Sequence, residues 1–103
     1  MAYKLIVTEH AEELLNTILH YLIYQLKNRQ AAVHLLDEMN NIYDRLEKNP
    51  LQFPVSRDTY LANKGYHEAV CGHMDYTIVF SVREDVVNIV GIFHQLENYW
   101  QKL

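Results

Sequence analysis

Two consecutive runs of apolar residues, spaced three and four apart, constrain this chain more than any other feature. The first run occupies residues 11–26 and the second residues 32–46. This spacing predicts two amphipathic helices, because it places the apolar side chains on one stripe of each helix. Thr8 is placed to cap the first helix, which we expect to end near Asn28, and Pro50 ends the second. The sequence therefore predicts an antiparallel helix hairpin.

Short segments rich in β-branched and aromatic residues lie on both sides of the hairpin and predict strands. Glu84 and Asp85 predict a tight turn that joins the last two strands as an antiparallel pair. We expect an α+β fold with an N-terminal strand, the helix hairpin, a three-stranded antiparallel meander and a short C-terminal helix over residues 95–103. The predicted strands are residues 3–8, 65–72, 75–83 and 86–93.

Length and composition are those of one domain over residues 1–103, of which half are hydrophobic. No apolar run approaches the roughly 18 residues of a membrane span, and the amino terminus lacks a charged-then-apolar leader, so we expect a cytoplasmic protein. Cys71 is the only cysteine. A single cysteine excludes an internal disulfide, and we expect Cys71 to be a small, unreactive side chain in a strand. Residues 49–64 lack periodicity and predict a connecting loop.

The charge of the chain disfavours simple nucleic-acid binding. The net charge is −4, and after Pro50 only four basic residues stand against six carboxylates. Proteins that bind nucleic acids usually gather Lys and Arg on one face, because neutralising phosphates supplies most of their affinity. Any RNA contact of this chain must therefore be small, or must rely on a larger assembly.

Three motifs follow one another along the chain. Leu46 and Pro50 mark the exit from the second helix, Gly65-Tyr66 opens the next strand, and Ile92-Phe93-His94 closes the last one. In this order and spacing they resemble the RelE/ParE superfamily of bacterial type II toxin-antitoxin toxins, over nearly the whole chain. The resemblance implies the same α+β fold. It also implies a growth-inhibiting toxin with a cognate antitoxin protein as its partner, and with no cofactor and no membrane.

The resemblance implies one of three activities. The first, and the one that we expect, is ribosome-dependent cleavage of mRNA, in which a 2′-hydroxyl attacks the neighbouring phosphate with the help of a base, a cation and an acid. The second is non-enzymatic inhibition of DNA gyrase, which needs no phosphate-neutralising cluster. The third is a catalytically impaired toxin that still binds its antitoxin. Members of the family commonly carry basic residues where this chain has His67 and Ser81.

Four residues are candidates for the chemistry of cleavage. His94 lies where an apolar strand gives way to a polar tail, and it is the best acid or base; the alternative is that it binds backbone to fasten the tail. Arg57 lies in the loop and is a candidate phosphate ligand, or else forms a surface ion pair with Asp58. Glu68 is a candidate general base, although a carboxylate on a strand is more often solvated.

His67 is the fourth candidate, and its role depends on which face of its strand it occupies. Successive strand residues point to opposite faces, so only one of Tyr66 and His67 faces the helices. If Tyr66 packs inward, His67 points to an open sheet face together with Ala69 and Cys71. The alternative is a solvent-facing histidine without a role in chemistry.

The C-terminal residues 95–103 include the candidate antitoxin-binding residues Tyr99, Trp100 and Leu103, because an apolar, aromatic surface suits a partner segment that folds on binding. Trp100 is an equally good core residue. His67, Cys71 and His73 lie too far apart along an extended strand to form a metal site. The expected partners are thus the antitoxin, in a higher-order complex with the toxin, and either the ribosome with its mRNA or gyrase.

Overall fold

A four-stranded sheet with a helix hairpin packed on one face forms the fold, as a computed structural model shows for residues 2–71 and 75–94. The strand order is β1-β4-β3-β2, with β1 parallel to β4 and the other neighbours antiparallel. The predicted α+β arrangement and the meander are confirmed, whereas the predicted C-terminal helix over residues 95–103 lies outside the described residues. The strands are β1 (Lys4–Val7), β2 (Tyr66–Cys71), β3 (Tyr76–Arg83) and β4 (Val86–His94).

The two predicted helices are present. Helix α1 (Glu9–His20) continues into one π-helical turn (Tyr21–Gln25), and α2 is Arg29–Lys48. The Thr8 side chain accepts a hydrogen bond from a backbone N–H in the first turn of α1, as the sequence predicts, and Asn28 caps α2 in the same way. Each cap satisfies one of the backbone donors that a helix N-terminus leaves without a partner.

The expectation of an irregular loop over residues 49–64 is only partly right. Pro50–Gln52 form one 3-10 turn, and Thr59–Asn63 form a short helix, α3, which Asp58 caps. Val55 makes an isolated antiparallel bridge with His67. Elements of one turn carry no measurable periodicity, so the sequence pattern does not predict them.

The two faces of the sheet pack against different elements. The α2 face carries the main core, in which the buried residues of α2 contact those of the strands. The far face carries a smaller cluster, in which Leu61 of α3 and Leu14 of α1 contact the sheet. Residues on the α2 face include Ala69, Cys71, Tyr76, Ile78, Phe80, Val87, Ile89 and Ile92; those on the far face include Tyr66, Glu68, Val79, Ser81, Asn88 and Phe93.

A segment of residues 53–56 runs along the outer edge of β2. The Ser56 N–H donates to the Tyr66 carbonyl oxygen at 2.9 Å, and the Glu68 N–H donates to the Pro54 carbonyl oxygen at 3.0 Å. These bonds cover part of an edge that would otherwise present unpaired backbone groups. They also place Arg57, the next residue along the chain, beside Glu68.

Candidate functional site

Arg57 and Glu68 form a salt bridge. The Arg57 Nε lies 3.1 Å from Glu68 Oε1 and donates to Oε2 at 3.3 Å. The Glu68 side chain is 5 % exposed, whereas that of Arg57 is 54 % exposed. The expectation of a solvated Glu68 is therefore wrong: the carboxylate is buried on the far face, and the guanidinium compensates its charge.

Asp58 does not pair with Arg57, although a surface ion pair was the alternative prediction for this loop. Its carboxylate accepts a hydrogen bond from the Leu61 N–H at 3.0 Å and caps α3. Asp58 caps the helix rather than pairing with Arg57 because Asp is preferred at helix N-termini, where its side chain satisfies a backbone donor.

His67 lies on the α2 face, which is not open. Its ring stacks on Phe80, with centroids 5.4 Å apart and planes 17° apart. Its Nδ1 lies 3.2 Å from the Phe53 carbonyl oxygen, and because a carbonyl only accepts, Nδ1 must carry the donated proton. Tyr66 packs into the far-face cluster instead. The alternation of the two residues was predicted correctly, but His67 does not point to an open face.

His94 is the last residue of β4, at the sheet end where the sequence predicts it. It is half-buried and lies opposite Tyr76 in the β3–β4 register. The two rings meet edge to face with centroids 5.5 Å apart. This contact fixes the imidazole against the end of the α2 face.

The sheet register keeps the two candidate histidines apart. His67 lies opposite Phe80 and His94 lies opposite Tyr76, on either side of β3. Phe80 and Tyr76 are four residues apart, so the Cα atoms of the two histidines are about 16 Å apart at normal strand rise and spacing. Glu68 follows His67 but points to the far face. Of the four candidates, only Arg57 and Glu68 are recorded in contact with each other.

Cys71 has the inert role that the sequence predicts. Its side chain is fully buried on the α2 face, and burial raises the pKa of the thiol to about 11, with a further contribution from Glu38. No group of three or more potential metal ligands occurs within residues 2–71 and 75–94. His73 and the antitoxin-binding candidates Tyr99, Trp100 and Leu103 lie outside the described residues.

The comparisons with known proteins identify the family. The model of the family described as "ParE toxin of type II toxin-antitoxin system, parDE" matches residues 5–99. The chain belongs to the ParE toxin family. A solved structure titled "Chromosomal ParDE TA system from P. aeruginosa" is 17% identical, covers 90% of this chain and 96% of its own, and superposes with a TM-score of 0.68. No curated protein sequence matches the chain.

Membership in the ParE family confirms the resemblance drawn from the three motifs. The likeness to the solved ParDE structure shows that the fold is shared, and the family assignment makes this chain a type II toxin with an antitoxin as its partner. None of the helices in the described part of this ParE-family chain is long and apolar enough to cross a membrane.

The interactions that orient the candidate residues were not predicted from the sequence. The Phe53 carbonyl orients His67, and residues 53–56 bring Arg57 to Glu68. Both lie in the stretch predicted as a loop. The only local signal is the β-branched Val55 between Pro54 and Ser56, which is compatible with an extended edge segment.

Proposed function

We propose that this ParE-family toxin arrests growth by binding DNA gyrase, and that it does not cleave mRNA. The observation that carries the proposal is the separation of His67 from His94 across the sheet. Cleavage at one phosphate needs its acid and its base within hydrogen-bond reach of neighbouring oxygens. Side-chain rotation cannot bridge about 16 Å between two positions that backbone pairing fixes.

The electrostatics of the candidate residues favour the same proposal. Arg57 is the candidate cation, and its charge is compensated by the buried Glu68 carboxylate. A phosphate would have to compete with this carboxylate for the guanidinium. The net charge of −4 further disfavours the approach of an RNA chain. Binding to a protein target requires neither a cationic cluster nor an assembled acid and base.

The antitoxin would neutralise this toxin by covering part of its surface. Tyr99, Trp100 and Leu103 remain the predicted antitoxin-binding residues, because aromatic side chains are favoured anchors at protein interfaces. On this proposal toxin and antitoxin act in the cytoplasm and form a higher-order complex.

A supercoiling assay with purified gyrase tests the proposal. We expect the toxin to inhibit ATP-dependent supercoiling in proportion to the fraction of gyrase it occupies, because a binder acts stoichiometrically whereas a catalyst turns over. The His94→Ala variant should inhibit equally, and addition of the cognate antitoxin should restore supercoiling. Relaxation of the same plasmid by a type I topoisomerase is the control and should not change.

Unimpaired supercoiling at a molar excess of folded toxin would contradict the proposal. The alternative function is then mRNA cleavage on the ribosome, which one observation favours: His94, the best acid or base candidate, is only half-buried at the end of the sheet. A toxin that affects neither gyrase nor mRNA but still binds its antitoxin would be the catalytically impaired member.

A further inference from the structure

A polar row crosses three strands on the far face, at the end of the sheet opposite His94. Tyr66 on β2 lies opposite Ser81 on β3, and Ser81 lies opposite Asn88 on β4. Residues directly opposite on one face have Cβ atoms about 5 Å apart. The row therefore presents a phenol, a hydroxyl and an amide side by side across roughly two strand spacings.

Two cations flank this row. Arg83 lies two residues after Ser81 on the same strand and so on the same face, and Lys64 precedes the strand that carries Tyr66. Together with Thr8 and Gly65, these residues line a cavity of about 400 Å³. None of the described residues that line it is a carboxylate, although acidic residues outnumber basic ones by 13 to 9 in the whole chain. We call this cavity the far-face pocket.

The donors of the far-face pocket are not engaged with each other. Within residues 2–71 and 75–94, the structure records no side-chain hydrogen bond or salt bridge for Ser81, Arg83 or Asn88. The ammonium of Lys64 lies 4.6 Å from the centroid of the Tyr60 ring, and a hydrogen bond to Tyr60 raises the pKa of Lys64. Lys64 thus stays charged at neutral pH beside the pocket.

We propose that the far-face pocket binds a small phosphorylated molecule of mononucleotide size. A guanidinium fork, an ammonium, hydroxyls and an amide are the donors that proteins use to hold a phosphate group. The volume exceeds the need of a bare ion and falls at the small end of ligand pockets. The Tyr66 ring and Val90, which also line the pocket, provide an apolar wall for the organic part of the ligand. Binding at the far-face pocket does not depend on the gyrase binding proposed above.

A two-dimensional ¹⁵N–¹H NMR titration of the full chain tests this site. The probes are adenosine 5′-monophosphate, inorganic phosphate, adenosine and a tetraglutamate peptide. We expect the nucleotide and phosphate to shift the amide signals of Gly65, Ser81 and Asn88 in a saturable manner, and adenosine to bind at least tenfold more weakly than the nucleotide. A charge-assisted hydrogen bond contributes enough to change affinity by roughly tenfold or more.

Four variants test whether the nucleotide binds in the far-face pocket. Arg83→Gln should weaken the nucleotide about tenfold, whereas Lys48→Gln, which removes the same charge from an exposed position on α2, should leave affinity unchanged. Ser81→Asp should abolish binding by placing a carboxylate at the centre of the polar row, and Ser81→Ala should weaken it only slightly. The dispersion of the same spectra shows whether each variant is folded.

Three results would overturn the proposal. Equal weakening by Arg83→Gln and Lys48→Gln would mean that the anion is only attracted to the net charge of the surface. Equal affinity for adenosine and the nucleotide would exclude phosphate recognition. Tighter binding of a tetraglutamate peptide than of phosphate would assign the pocket to acidic side chains of a protein partner.

Discussion

Single residues of this toxin show how burial decides the role of a charge. Arg57 and Glu68 are only 3.1 Å apart, yet the carboxylate is buried and the guanidinium is half exposed. Losing the partner of a buried charge leaves that charge without compensation, which costs more than removing the buried charge itself. The two members of this ion pair should therefore respond unequally to neutralisation.

We predict that Arg57→Gln lowers the free energy of unfolding by about 2 kcal/mol and that Glu68→Gln lowers it by about 1 kcal/mol or less. The Glu68→Gln amide still accepts a hydrogen bond from Arg57, whereas Arg57→Gln leaves a buried carboxylate without its cation. Urea denaturation at pH 7 measures both values. Lys48→Gln, at the exposed end of α2, is the control and should change stability by less than about 0.5 kcal/mol. Equal costs for the two variants would show that the burial of Glu68 does not matter.

The orientation of His67 shows the limit of sequence reasoning at this scale. Alternation along β2 correctly predicts that Tyr66 and His67 face opposite sides. Which side is covered depends on where α2 and α3 pack, and no local pattern encodes that. The alternative prediction that Arg57 pairs with Asp58 is wrong for a similar reason, because the partner of Arg57 is Glu68, 11 residues away in sequence.

Among the elements, the end of α2 links the helix hairpin to the loop that carries Arg57. Leu46 is fully buried, and Pro50 is buried at the start of the 3-10 turn. The Arg45 guanidinium donates to Gln52 Oε1 at 3.0 and 3.2 Å and lies 4.7 Å from the centroid of the Phe53 ring. These contacts hold the end of α2 against the segment that follows Pro50.

We predict that Leu46→Ala costs about 3 kcal/mol, because it opens a cavity in the main core. Leu51→Ala, five residues later, should cost less than about 0.5 kcal/mol, since Leu51 is 61% exposed. Thermal and urea unfolding of the two variants measure the difference. Similar losses in both would mean that the motif is not anchored in the core.

Long elements were predictable and short ones were not. The strands β2, β3 and β4 lie within one residue of the predicted bounds at either end, and both helices fall where the apolar stripes place them. Periodicity accumulates over such lengths. Helix α3 and the 3-10 turn have five and three residues, so their formation depends on Asp58, Pro50 and tertiary contacts rather than on a repeating pattern.

For the whole molecule, the sheet register is the basis of the proposal that this toxin acts by binding. The fold holds His67 and His94 about 16 Å apart on the α2 face and pairs Arg57 with Glu68 on the far face. The resemblance that revealed the family could not separate cleavage from gyrase binding, because both activities occur on the same fold. Only the three-dimensional placement of the candidate residues favours one of them.

The most direct test is to add the folded toxin to a reconstituted translation reaction and to map the 5′ ends of the mRNA by primer extension. We predict intact mRNA at toxin concentrations that inhibit gyrase, for the unmodified chain and for His94→Ala alike. New 5′ ends at codons in the ribosomal A site, present with the unmodified chain and lost with His94→Ala, would contradict the proposal and make His94 a catalytic residue.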